Sequence, residues 1–201
     1  MKIAIINYGL GNLHSVQKAI VFVGGDAVVT NDPAVILNAN KIVIPGVGAF
    51  ADGMRGLASQ DLVPVIREAV SFGKPLLAIC LGMQLLFEKS EEQGRHTGLG
   101  LLSGEVVPFQ QPGIKVPQIG WNQIEIKKSS SMLNGIQNGD YFYFNHGYYC
   151  IPDDENDVLT KTDYDTCFAS SVERDNIFGV QFHPEKSQAA GLQILKNFVS
   201  L

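Results

Sequence analysis

Three side chains, a thiol, an imidazole and a carboxylate, stand where they could carry covalent acyl-transfer chemistry. The thiol belongs to Cys80, within Lys74-Pro75-Leu76-Leu77-Ala78-Ile79-Cys80-Leu81-Gly82-Met83-Gln84-Leu85-Leu86-Phe87. The first half of this stretch is a short apolar run bounded by Gly73 and Pro75, which reads as a buried strand. In the second half Leu81, Gln84, Leu85 and Leu86 recur at helical spacing. Cys80 sits at the join, with Ala78 two residues before it and Gly82 two after. Small residues on both sides suit a sharp strand-to-helix turn that pushes the central side chain out of the sheet. A thiol there also meets a helix N-terminus, whose partial positive charge favours the thiolate. The plainer alternative is a buried structural cysteine at a strand end.

A cysteine nucleophile needs a base, and the base needs a third group to orient it. The candidate lies a hundred residues on, in Gly179-Val180-Gln181-Phe182-His183-Pro184-Glu185. Ile177 to Phe182 reads as a strand. Pro184 disfavours the helical region for His183 and keeps it extended. In an extended segment residues i and i+2 point the same way, so Glu185 can steer the imidazole of His183. Pro184 also ends ladder pairing, which puts the dipeptide at the end of a sheet. Taken alone, His-Pro-Glu is more often a surface turn; beside a cysteine elbow it is a base and its orienter.

These groups must be brought together by the elements around them. Ile3 to Ile6 is a continuous apolar run followed by Asn7-Tyr8-Gly9, a buried parallel strand and its loop. Asn12 to Phe22 carries Leu13, Val16, Ala19 and Ile20 at helical spacing and is closed by Gly24-Gly25. Ala27 to Thr30 and Lys41 to Ile44 are further strands. Between them Asp32 caps a brief helix with Pro33 at its first position. An amphipathic helix runs from Asp61 to Phe72, with Pro64 in its first turn and Gly73 ending it. Such β-α alternation argues for an α/β fold, an open, mostly parallel sheet flanked by helices. Sites in such sheets gather at the carboxyl ends of strands, so Gly9, Gly46 and Cys80 should lie close together. Glu88 to Thr97 is polar and reads as an exposed loop. Beyond Gly104, Ile119 to Ile126, Tyr141 to Phe144, Phe168 to Glu173 and Ile177 to Phe182 look like strands with no helices between them. That pattern predicts an antiparallel or mixed extension in the C-terminal half. A final helix spans Leu192 to Val199. No linker divides the chain, so residues 1–201 are expected to form one domain.

Pro45-Gly46-Val47-Gly48 directly follows the third strand. Acyl transfer from an amide passes through a tetrahedral oxyanion, which needs backbone N–H groups aimed at it. The segment of Gly46, Val47 and Gly48 can supply one such donor as it runs past the elbow. The N–H of Leu81, just after the nucleophile, can supply the other.

Composition narrows the field. The chain has 201 residues, 45% hydrophobic and 17% charged, enough for a sizeable core. A net charge of -5 argues against nucleic acid or an anionic membrane as partner. Cys80, Cys150 and Cys167 are too few and too far apart for a disulfide framework or a zinc site, so neither metal nor cofactor is expected. A reducing, cytoplasmic setting follows. Lys2 to Ile6 is too short for the apolar region of a signal peptide, and no window approaches the ~20 apolar residues of a membrane span.

The elbow and the distant His-Pro-Glu together resemble the class I, triad-type glutamine amidotransferases. Further matching stretches are Asn7 to Asn12, Pro45 to Gly48, Pro117 to Asn122, Tyr143 to Tyr148 and Phe182 to Ser187. They cover nearly the whole chain and point to those glutaminases that work with a separate synthase subunit. The resemblance implies that L-glutamine is the substrate and that Cys80, His183 and Glu185 are catalytic. It also implies that Gly46 to Gly48 form an oxyanion strand, in which some relatives must flip a peptide. Gln84 and Glu92 would contact glutamine, Glu92 at its α-amino group, and His146, Gly147 and Tyr148 would line its site. Solvated charge is the usual explanation of a pair such as Glu91-Glu92. Asn12, Trp121, Tyr143 and Lys186 would meet a partner, a (β/α)8-barrel cyclase subunit. Composition alone would put Trp121 and Tyr143 in the core.

Some positions depart from the family pattern: Asn7 for the usual Asp, Gln118 for the commoner His, Ala78 for Gly in the elbow, and Gly147 for a hydroxyl residue. None removes a catalytic group, although at 147 any substrate contact falls to the backbone. The chain has no P-loop or dinucleotide fingerprint that could use ammonia itself, so a separate acceptor subunit is required on chemical grounds too. Two alternatives stay open: a glutaminase serving another synthase, such as one that modifies a sugar, and a non-catalytic interaction subunit on the same fold.

Overall fold

The first strand shows how the sheet is covered on both faces. Ile3, Ala4, Ile5 and Ile6 are all buried, but alternate residues enter different cores. The structure, a computed structural model, describes residues 1–110 and 112–201. It begins with β1 (Lys2–Ile6), α1 (Leu13–Phe22), β2 (Asp26–Thr30), α2 (Pro33–Asn38) and β3 (Lys41–Gly46). Next come α3 (Phe50–Ala58), α4 (Leu62–Ser71), β4 (Leu76–Cys80) and the single-turn α5 (Leu81–Leu85). Ile3 and Ile5 pack with Val16 and Ile20 of α1, whereas Ala4 and Ile6 pack with Ile36 of α2 and Ile66 of α4. Withdrawing each such large aliphatic side chain from water stabilises the fold by about 1.5–3 kcal/mol. Asp32 caps α2 as its position predicts, accepting a hydrogen bond from Ala34 N–H at 2.8 Å.

The second half is built mainly of strands. They are β5 (Phe87–Ser90), β6 (His96–Thr97), β7 (Leu102–Pro108), β8 (Gln118–Gln123), β9 (Glu125–Ile126) and β10 (Tyr141–His146). After these come β11 (Tyr148–Pro152), β12 (Val158–Asp163), β13 (Cys167–Arg174), β14 (Ile177–Val180) and the closing helix α6 (Gln188–Ser200). The main sheet runs β2-β1-β3-β4-β14-β13-β12-β9. Its first five strands are parallel, and β13, β12 and β9 continue it antiparallel. This is the parallel sheet with an antiparallel extension that the sequence predicts. A second sheet, β11-β7-β5-β6, and a two-stranded ribbon of β8 and β10 complete the sheets among the described residues.

Lys41, at the start of β3, is buried and paired differently from most lysines. Its Nζ donates to the carbonyls of Phe198 at 2.7 Å and Val199 at 2.8 Å and lies over the Phe198 ring. It thereby satisfies carbonyls in the last turn of α6, which otherwise lack partners. Burial lowers the pKa of its ammonium from the ordinary lysine value.

Several expectations need correction. Residues 88–97 are largely exposed as expected over the turn 91–95 but are not loop throughout: β5 pairs parallel with β7, and β6 hairpins back onto β5. Phe87 and Ser90 are buried while Glu88 and Lys89 face outward, because the ladder to β7 shifts register between Phe87 and Lys89 and breaks the alternation by which a strand is read. The stretch from Ile119 to Ile126 is two strands in two sheets, broken at Ile124, whose side chain turns into the core. The last helix starts at Gln188, four residues earlier than its apolar spacing indicates. Helix α3 and strands β7, β11 and β12 had no prediction; α3 contains Gly53 and Gly56, which weaken a helical signal.

Candidate active site

Parallel pairing of β3 with β4 sets Gly46 directly beside Cys80, and β1 lies on the far side of β3. The three strand ends therefore converge, as expected from their common direction. Cys80 has φ +54° and ψ -109°, a conformation that L-residues rarely adopt and that costs about 1–3 kcal/mol. The surrounding packing holds it there. A side chain at Gly82 would place its Cβ 2.0 Å from the Ile44 carbonyl oxygen, so the turn after the thiol requires glycine by close approach. The elbow is thus real, although the helix after it lasts only five residues before the chain enters β5.

His183 approaches from the end of β14. Its backbone is extended, φ -98° and ψ 97°, as Pro184 dictates, but Pro184–Lys186 then form a 3-10 turn rather than continuing as a strand. Glu185 reaches the ring from within that turn: His183 Nδ1 lies 2.9 Å from Oε1 of Glu185, both side chains almost fully buried. Ser187 pins the turn, its hydroxyl donating to the His183 carbonyl at 2.7 Å and accepting from Tyr143 N–H at 2.9 Å. Opposite it, His183 N–H donates to the Tyr143 carbonyl. The sequence singled out His183 and Glu185 but not the Ser187 brace.

The other imidazole nitrogen, Nε2, is buried without an acceptor at hydrogen-bonding geometry. Cys80 is nonetheless close enough to act on it electrostatically. Burial works against charge on His183, but the nearby Cys80 sulfur and the hydrogen-bonded Glu185 carboxylate outweigh it and raise its pKa to about 10. The imidazole therefore holds a proton at neutral pH. A loose nucleophile–base contact that tightens around substrate is common in empty sites.

A pocket of about 150 Å³ opens over the thiol, smaller than the 300 Å³ or so at which drug-sized sites begin. Val47, Gly48, Cys80 and Leu81 form one wall, Gln84 and Glu92 another, and Asn145 with His146, Gly147 and Tyr148 the third. Every residue predicted for the oxyanion or for substrate is present except Gly46. Gly46 ends β3 beneath the pocket, where an added Cβ would lie 2.5 Å from the Tyr8 hydroxyl. That hydroxyl donates to the Pro45 carbonyl at 2.6 Å and holds the entry to the oxyanion segment. Tyr8 was not picked out as functional, because nothing local relates a tyrosine after β1 to a carbonyl at residue 45.

Other predicted side chains have more definite surroundings than their sequence implies. Oε2 of Glu92 accepts from the N–H of Phe50, the first residue of α3, at 2.6 Å while the residue lines the pocket. Its carboxylate is a helix cap as well as a wall. Nδ1 of His146 lies 2.7 Å from the Tyr148 carbonyl and can bond it only as a donor. Burial and the charge of His183 outweigh that bond and lower its pKa to about 4, so it is neutral at pH 7. Sγ of Cys80 is 3.8 Å from the Asn145 carbonyl and 3.7 Å from Nε2 of Gln181, neither of which was singled out. Gln181 carried a readable signal, being the one amide in an apolar strand and two residues before the base.

Trp121 and Tyr143 are not core residues. They face each other across β8 and β10 with ring centroids 6.1 Å apart, and Trp121 is 45% exposed. Lys186 Nζ lies over the Tyr143 ring at 5.6 Å, and that ring is 6.5 Å from the ring of His183. Asn12 is exposed just before α1.

Comparison with known proteins shows the family and the fold. The family model described as glutamine amidotransferase class-I matches residues 4–201. The chain is 54% identical over 199 residues to imidazole glycerol phosphate synthase subunit HisH of Aquifex aeolicus, covering 98% of this chain and 96% of that protein. It is 52% identical to the protein of the same name from Moorella thermoacetica, covering 99% and 94%. Among solved structures, PurLQS from Thermotoga maritima superposes with a TM-score of 0.78 at 17% identity, covering 99% of this chain and 97% of that one. A crystal structure described as a glutamine amidotransferase gives 0.76 at 15%, covering 98% and 99%.

Proposed function

Because the chain belongs to the class I glutamine amidotransferases, we propose that Cys80, His183 and Glu185 hydrolyse L-glutamine through a γ-glutamyl thioester. The chain is the glutaminase subunit of imidazole glycerol phosphate synthase, an enzyme of histidine biosynthesis. The observation that carries the mechanism is a thiol on a strained elbow at the wall of a small pocket, with a buried imidazole beside it whose Nδ1 lies 2.9 Å from a buried carboxylate.

Sulfur, its proton already on His183, attacks the side-chain amide carbon, and backbone N–H groups from Val47, Gly48 and Leu81 receive the oxyanion. His183 delivers its proton to the departing nitrogen, which leaves as ammonia. A water then attacks the thioester, giving its proton to His183, and glutamate is released as the thiolate and imidazolium are restored. Glu185 fixes the tautomer and stabilises the imidazolium. Glu92 is the anion for the ammonium group of glutamine. Gln84 and the backbone of residues 146–148 form the remaining walls.

The whole chain, 1–201, acts as one glutamine amidotransferase domain, since one sheet takes strands from both halves. No helix among the described residues is long and apolar enough to cross a membrane, and the free thiol suits the reducing cytoplasm. Ammonia passes to a (β/α)8-barrel cyclase subunit docked around Asn12, Trp121, Tyr143 and Lys186.

Replacing Cys80 with alanine tests this reading. Ammonia release from glutamine should fall to background while association with the cyclase, followed by gel filtration, is kept. Residual hydrolysis by Cys80→Ala, or coupling to an unrelated synthase and none to the cyclase, would refute it.

A further inference from the structure

Gln181 is fully buried, one carboxamide in the apolar run from Ile177 to Phe182. A buried amide is destabilising unless its donors and acceptor find partners, so the partners reveal what it is held for. One backbone carbonyl orients two amides in series. The Tyr148 oxygen can only accept, and Gln84 meets it at 3.0 Å, so the nitrogen of Gln84 must face it. That nitrogen's second hydrogen reaches Gln181 at 3.1 Å, which turns the Gln181 oxygen toward Gln84. The Gln181 nitrogen is left facing Sγ of Cys80, 3.7 Å away.

We propose that Gln181 is the hydrogen-bond donor that holds the Cys80 sulfur as an anion, with Gln84 and the Tyr148 carbonyl keeping its N–H aimed at Sγ. The inference rests on Cys80 being the nucleophile of the proposed reaction. The Asn145 carbonyl, 3.8 Å from Sγ, can accept from a thiol but repels a thiolate. A donor is therefore needed to offset it.

The titratable groups around the sulfur leave few others. Tyr8, after β1, and Cys150, on β11, both have their pKa raised by burial first and by the charge of Cys80 second, so neither brings a charge, and the Tyr8 hydroxyl already donates to the Pro45 carbonyl. His146, on β10, is neutral and its Nδ1 hydrogen is committed to the Tyr148 carbonyl, and the carboxylates of Glu92 and Glu185 have no hydrogen to give. Gln181 donates toward Sγ, and the charge of His183 acts beside it.

The test uses the full chain and iodoacetamide, with labelling of each cysteine followed by mass spectrometry across a pH series. Alkylation forms an S–C bond and expels iodide without an oxyanion, so it reports the sulfur alone. Gln181→Met keeps length and volume but lacks the N–H. Cys80 labelling at pH 7 should slow about tenfold, the range of a lost bond to a charged group, while the rate at alkaline pH is kept. Labelling of the exposed Cys167 should not change, and the buried Cys150 should stay unlabelled. An unshifted Cys80 profile overturns the proposal. If Cys150 becomes labelled, packing has been lost and Gln181→Glu, of the same shape with oxygen toward sulfur, is read instead. Slowing at least as large is expected there, and an unshifted profile is again the overturning result. Failure of the nucleophile itself is seen separately, as glutamine hydrolysis surviving in Cys80→Ala.

Discussion

Two buried histidines near the Cys80 sulfur have opposite proton affinities, and their surroundings account for the split. Both are buried, which disfavours charge. His183 regains a proton through Cys80 and Glu185, whereas His146 has a backbone carbonyl and the charged His183 nearby. The folded pKa of His183, about 10, lies above the ordinary 6.5. Its contribution to stability is therefore fully present below about pH 6.5 and is lost as pH rises through 10. His146, at about 4, works the other way: the unfolded chain binds its proton more tightly. Its contribution is present above about pH 6.5 and is lost as pH falls toward 4. Urea unfolding should show the protein losing stability over that acid window, by roughly 3 kcal/mol at most from this residue. His146→Gln should lose less between the same pH values, and an identical slope in both proteins would contradict the assignment.

At the scale of elements, the site depends on strand ends being held rigidly against one another. Tyr8 is the tie between β1 and β3. Its hydroxyl reaches the Pro45 carbonyl immediately before the oxyanion segment, and its backbone lies against Gly56 of α3 closely enough to exclude a side chain there. Tyr8→Phe keeps the ring and removes the tie, leaving a buried carbonyl unpaired at a cost of about 1–3 kcal/mol. Steady-state kinetics should then show kcat for glutamine hydrolysis reduced about tenfold with KM nearly unchanged, because an oxyanion exists only beyond the ground state. A rise in KM with kcat intact would instead make Tyr8 part of the substrate wall.

For the whole molecule, the ribbon of β8 and β10 has one buried and one open face. Phe142, Phe144, His146 and Gln118 point inward, while Ile119, Trp121 and Tyr141 are exposed. The open face continues into Tyr143 and Lys186, and the buried ring of His183 lies 6.5 Å from that of Tyr143. A partner docked there would press on the turn that carries His183, the proposed base. Trp121→Ala should weaken binding of the proposed cyclase partner by about 2 kcal/mol or more if the ring is a central anchor, as read by titration calorimetry. The thermal midpoint of the isolated glutaminase should barely move, since the ring is already half in water. A large drop in that midpoint would restore Trp121 to a packing role.

What the order of residues determined unaided was whatever depends on near neighbours: the elbow at Cys80, the extended His183 before its proline, the cap at Asp32, and the parallel strands as unbroken apolar runs. These follow from steric limits and side-chain periodicity within a few residues. The family pattern added the pocket walls by likeness. Tertiary structure alone decided that Gln181 faces sulfur, that Glu92 caps α3, that Tyr8 ties down Pro45 and that Trp121 stands in solvent. Each of these turns on segments tens of residues apart closing on one another, and the partner of a buried polar group is set by what packs beside it rather than by its neighbours along the chain.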